Sequence, residues 1–124
     1  REIVSKYNKA FTNIAEIIIP FERNYVKSAW HIYPIRLRLE KLRIGRKEIF
    51  NALQKNGIGV QVHYIPLHLQ PFYRKNFGYK KGDFPIAEKY YRGAITLPLF
   101  PSMKSEEILK VIKIIKKITN SYKI

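Results

Sequence analysis

The chain has 124 residues, with 24 Lys and Arg against 9 Asp and Glu, a formal charge of +15 and no cysteine. Its length suits about one domain, and 46% apolar residues exclude a disordered chain. The missing cysteines exclude a disulfide framework, thiolate zinc ligation and a cysteine nucleophile, and they fit a cytoplasmic protein.

From the first residues, Ile3, Val4, Tyr7, Phe11, Ile14 and Ile18 recur at helical spacing. This predicts a helix over about 2–18, stopped before Pro20 because a residue preceding proline avoids helical ψ. No capping residue precedes it and residue 1 is Arg, so we expect the chain to be part of a longer protein whose helix continues upstream. The segment 30–39, WHIYPIRLRL, alternates in part and predicts a strand with Arg36 and Arg38 on its polar face. Pro34 would put that strand at a sheet edge or a bulge.

Residues 45–56 predict a second helix ended by Gly57, and VQVHY at 60–64 a short strand. Short helices are expected at 69–77 and 84–93, the latter opened by Pro85. AITLPL at 94–99 reads as a third strand. The final helix starts at a Ser105 cap with Glu106 and Glu107 at the positive end of its dipole. Its apolar stripe runs through Ile108, Val111, Ile112, Ile115, Ile118 and Tyr122. Together these elements predict an α+β domain, an α/β sandwich, with a small mostly antiparallel sheet covered by helices on one face. The apolar runs are too short to span a membrane.

Residues 57–101 concentrate the chemistry. His63, Tyr64 and His68 lie there, with five of the 7 prolines: Pro66, Pro71, Pro85, Pro98 and Pro101. Proline fixes φ, and loops held by a scaffold are where binding residues gather. Pro66 forbids a regular helix between the two histidines, so they do not form a helical metal pair, and no metal site is expected. A neutral histidine can donate to or accept from a hydroxyl, and a charged one can hold a phosphate. Tyr64, Tyr73, Tyr79, Tyr90 and Tyr91 offer aromatic faces, and Arg74, Lys75, Lys80 and Lys81 offer charge for a phosphate. Nucleophile elbows, phosphate-binding loops and paired carboxylates are absent, so the chain reads as part of a site. Its charge leaves open a second reading, a basic nucleic-acid-binding module, and a third, a structural dimerisation domain.

Six ordered motifs carry a resemblance: SAWHIY at 28–33, RKEIFNALQKNGI at 46–58, VHYIPLH at 62–68, QPFY at 70–73, FGYKKGDFPIAE at 77–88 and TLPLFPSM at 96–103. They resemble the C-terminal small domain of DegT/StrS sugar aminotransferases, pyridoxal-phosphate enzymes of aspartate aminotransferase fold (fold type I). Within that family the chain is most similar to transaminases of pseudaminic acid biosynthesis, which aminate a UDP-linked 4-keto-6-deoxy sugar. The resemblance implies that residues 1–124 are one small domain. It implies a separate N-terminal domain that holds pyridoxal 5'-phosphate, with its lysine and phosphate contacts. It further implies a homodimer, a nucleotide-sugar substrate and an amino-acid donor, and no nucleic-acid or membrane partner. No catalytic or cofactor-binding residue carries over to this chain. His63 and Tyr64 carry over as substrate contacts, with His68 next. Trp30 and His31 would lie near the cleft.

Overall fold

The computed structural model describes residues 1–124. Helix α1 is Glu2–Phe11, with Val4, Tyr7 and Phe11 buried. It ends seven residues before the sequence pattern suggests. Ile14 and Ile17 donate backbone bonds to Phe11 and Ile14, turning the chain into strand β1, Ile17–Ile18. Ile18, which extends the helical stripe, therefore serves a sheet, and Ile14 lies in the turn before it. β-Branched side chains suit a pleated surface, and the pairing partner decides the matter.

Strand β2 is Tyr33–Leu37 and β3 is Ala94–Leu97. The sheet is fully antiparallel in the order β1-β2-β3, with Ile17 opposite Leu37 and Ile35 opposite Ile95. β2 is thus the central strand, not an edge. Pro34 is accommodated because it lies opposite Thr96, whose N–H and C=O point the other way, to Gln61. Pro34's missing donor therefore faces the β1 side, beyond the two residues that β1 pairs.

Helix α2 is Arg46–Lys55, α3 is Pro71–Phe77, α4 is Pro85–Gly93 and α5 is Ser105–Tyr122. Gly57, at φ +73, lets the chain leave α2 in the left-handed region. Ser105 is inside α5 rather than its cap. Lys104 precedes the helix, and its N–H donates to Glu107 Oε2 at 2.7 Å. The carboxylate at the third position does the capping that the hydroxyl was expected to do.

Tyr33, Ile35, Leu37, Ile95 and Leu97 turn one sheet face into the core, against Ile49 and Leu53 of α2 and Ile108, Val111, Ile115 and Ile118 of α5. The Tyr7 hydroxyl donates to the Pro98 carbonyl at 2.9 Å, and Tyr33 donates to Asn8 Oδ1 at 2.7 Å. Burial pushes both phenols well above the ordinary tyrosine range, so they act as fixed donors. The opposite face is covered too. α4 packs on β2 there, with Tyr90 beneath the Arg36 guanidinium. Helices therefore lie on both faces, and α4 carries one wall of the candidate site.

No helix is long and apolar enough to cross a membrane.

Candidate functional site

Buried Ile58 and Val60 anchor the segment that follows α2. Gln61 then adds one rung to the free edge of β3, exchanging both backbone bonds with Thr96 at 3.1 and 2.8 Å. The expected strand at 60–64 is this single rung. Antiparallel rungs fall at every second residue, so the next would use Ala94 and Pro98. Ala94 gives its N–H to Tyr90 at the end of α4, and Pro98 has none to give.

Beyond the rung, His63 turns inward and Tyr64 outward. His63 Nε2 lies 3.1 Å from Thr96 Oγ1, and its ring packs on Tyr90 with centroids 5.8 Å apart. Tyr64 is 95% exposed. Both line a groove of about 710 Å³ together with Pro66, Phe84, Ile86 and Tyr90. Its walls are mostly apolar, and Ile86 is 86% exposed. A concave apolar surface with few polar groups is the usual form of a ligand site.

His68 is placed differently from the other two. It is buried on a 3₁₀ turn, Leu67–Leu69, and Nε2–H donates to Glu88 Oε1 at 2.8 Å. Its ring packs on Phe84, centroids 4.8 Å apart. The same Glu88 oxygen accepts the Gly82 N–H at 2.7 Å. His68 thus ties the 67–69 turn to α4, Gly82 ties the loop before α4 to the same carboxylate, and His68 does not line the groove. A carboxylate twenty residues away in sequence meets it only through the fold, which sequence inspection had no means of pairing. Tyr90 appears in the sequence only as one of several aromatic faces. Thr96 and Arg36 carry no sequence signal for the site.

Trp30 and His31 lie outside the groove. Trp30 holds a left-handed φ of +48, its N–H donates to Ser28 Oγ at 3.1 Å, and it packs against the core. Arg74, Lys75, Lys80 and Lys81 are exposed and line none of it. No group of three or more His, Asp or Glu side chains comes together to hold a metal.

The hydrogen bonds from His68 and then Gly82 hold the Glu88 carboxyl below its ordinary range. Glu22 is held low by the Ser28 N–H and by Arg1. A lowered folded-state value stabilises the fold above the unfolded value and is lost as pH falls through the folded one. The contribution of these two carboxylates to the melting temperature is therefore expected to be constant from neutral pH to about 5 and to fall below about pH 4.5. Glu88→Gln should show a shallower acid fall than the unmodified chain in melts across that range. An unchanged profile would mean that Glu88 carries none of it.

A family model described as the DegT/DnrJ/EryC1/StrS aminotransferase family matches residues 1–116. The chain belongs to this family. It is 40% identical to the spore coat polysaccharide biosynthesis protein SpsC of Bacillus subtilis, over 94% of this chain and 30% of SpsC. Among solved structures, it is similar to Spr1654 of Streptococcus pneumoniae, named as a sugar aminotransferase and solved in its PMP form. There the identity is 31% and the TM-score 0.85, over 97% of this chain and 30% of that one. It is also similar to Helicobacter pylori PseC, described as an aminotransferase involved in pseudoaminic acid biosynthesis. That match has 26% identity and a TM-score of 0.84, over 97% of this chain and 32% of that one. The expected fold is therefore correct: a small antiparallel sheet with five helices, matching part of a fold type I aminotransferase. The chain spans about three-tenths of the length of these relatives.

The family implies pyridoxal phosphate, and Spr1654 was also solved in a PLP form. The groove does not fit that group by itself. Its lining holds no lysine to bond the aldehyde and no cationic cluster for the phosphate.

Proposed function

We propose that this chain is the small domain of a pyridoxal-phosphate-dependent transaminase acting on a nucleotide-linked keto sugar, and that its groove is the sugar-facing wall of the site. The observation that carries this reading is the convergence of His63, Tyr64 and Tyr90 on an open apolar groove in a chain of this family. The cofactor is held by the remainder of the enzyme, in an N-terminal domain, and the full protein is a cytoplasmic homodimer with an amino-acid donor. The similarity to PseC, together with the six sequence motifs, supports a UDP-linked 4-keto-6-deoxy sugar as substrate.

In this reading the chain's own residues bind and orient. His63 offers a hydrogen bond to a substrate oxygen, Tyr64 offers a face to the sugar or base, and Phe84 and Ile86 exclude water. The excess positive charge raises the local concentration of a diphosphate-bearing ligand. The family assignment does not favour the nucleic-acid-binding alternative.

In the full-length enzyme, His63→Ala is expected to raise KM for the nucleotide-sugar by up to about tenfold, as loss of one hydrogen bond allows. Use of the amino donor should be almost unchanged. Equal losses in both half-reactions would count against a sugar-facing wall. The isolated chain should bind no pyridoxal phosphate, and a bound-cofactor absorbance band on it would refute the division of labour.

A further inference from the structure

The hydrogen bond between His63 and Thr96 decides which ring nitrogen the groove presents. It is the only hydrogen bond that the His63 side chain makes, and it occupies Nε2. The other nitrogen, Nδ1, has no partner within the chain and is open to solvent. Turning the ring over would exchange a nitrogen for a carbon at both positions, so one bond at Nε2 fixes the whole ring. Its partner is itself fixed. Thr96 sits on β3 between Pro34 on one side and the Gln61 rung on the other. Tyr90 packs against the ring, and the Arg36 guanidinium 5.6 Å from the Tyr90 centroid restrains Tyr90 in turn.

We propose that Thr96 is the positioning residue for His63: its hydroxyl donates to Nε2, so that the neutral ring carries its proton on Nδ1 and presents it as a donor to an oxygen of the bound substrate. Neutral imidazole has one donor and one acceptor nitrogen, and the bond made by one sets the role of the other. The Thr96 hydroxyl has no other acceptor within the chain, so its hydrogen is free to turn to Nε2. A diphosphate or a sugar ketone offers only acceptors to such a group, which makes the Nδ1–H form the productive one. Thr96 acts through His63 and does not line the groove. The inference rests on the sugar-facing reading given above.

Two measurements separate the failures. Long-range ¹H–¹⁵N correlation spectra of this chain, at a pH where His63 is neutral, should show Nδ1 protonated and Nε2 bare. Thr96→Val keeps the shape and removes the hydroxyl. It should move His63 toward the form protonated on Nε2, while Thr96→Ser should keep the original pattern. A His63 spectrum unchanged in Thr96→Val, or an Nε2–H form in the unmodified chain, overturns the proposal.

In the full-length enzyme, Thr96→Val should raise KM for the nucleotide-sugar by about three- to tenfold with kcat nearly constant, and Thr96→Ser should restore it. If His63→Ala weakens sugar use but Thr96→Val does not, the positioning role is wrong and the sugar-facing wall stands. If neither variant affects sugar use, the wall itself is misassigned and the proposal falls with it.

Discussion

Tyr33→Ala is expected to lower stability by about 3–5 kcal/mol, the range for emptying an aromatic site in a core. In a domain of this size the melting temperature should drop by about 10–20 °C. Tyr33 is fully buried on the central strand, its ring centroid lies 5.0 Å from that of Tyr7 and 6.3 Å from that of Trp30, and its hydroxyl holds Asn8. Alanine would leave a cavity where α1, β2 and the Trp30 loop meet, and none of these can close it without moving another. Tyr33→Phe removes only the hydroxyl bond. Asn8 is half-exposed and can turn to water, so that variant should cost about 0.5–1.5 kcal/mol. Thermal melts of the pair check the assignment. A Tyr33→Ala protein melting within a few degrees of the parent would show that the core is not built around this ring.

Gly93→Ala is the second large effect. A Cβ at Gly93 would stand 2.8 Å from the Leu37 carbonyl oxygen and 3.4 Å from the Leu37 nitrogen. Both are backbone atoms of the central strand, so no side-chain rotation relieves the clash. Either the end of α4 lifts away from the sheet or β2 bends, at a cost of about 1–3 kcal/mol. Because Tyr90 lies in the last turn of α4, the same displacement should loosen the His63–Tyr90 packing. Gly59→Ala is the matched control, since its Cβ would meet nothing within 4 Å. Denaturant titration should separate the two, and equal stability for both variants would mean that α4 does not press on β2 as described.

The sequence exposes the helices better than the sheet, for reasons visible at particular residues. α2 and α5 combine a long apolar stripe with end signals that agree, Gly57 after one and Glu107 within the first turn of the other. β1 is only Ile17–Ile18, and Ile18 also fits the apolar stripe that runs on from α1. Only pairing with Leu37 and Arg36 separates the two readings. Pro34 pointed to an edge because the proline rule concerns the direction of its missing N–H, which sequence does not show. At the candidate groove, His63 and Tyr64 stand out in the sequence because they lie in a proline-rich segment with a family pattern. His68 shares that pattern, yet the Glu88 carboxylate claims it. Glu88, Thr96 and Tyr90 enter through registers and turns that no local spacing encodes.

Tyr7 near the start of the chain reaches Pro98 and Met103, 91 and 96 residues further on, and α1 packs on α5. During synthesis the first helix therefore leaves the ribosome long before its partner exists. At ordinary elongation rates the wait is about 5–20 seconds, throughout which α1 lacks the cover that Pro98, Met103 and α5 supply. Contacts so distant in sequence also make closure of the core a late step in folding. The interval is a window for chaperone binding or for aggregation, and its length is set by topology rather than by any weakness in the finished domain.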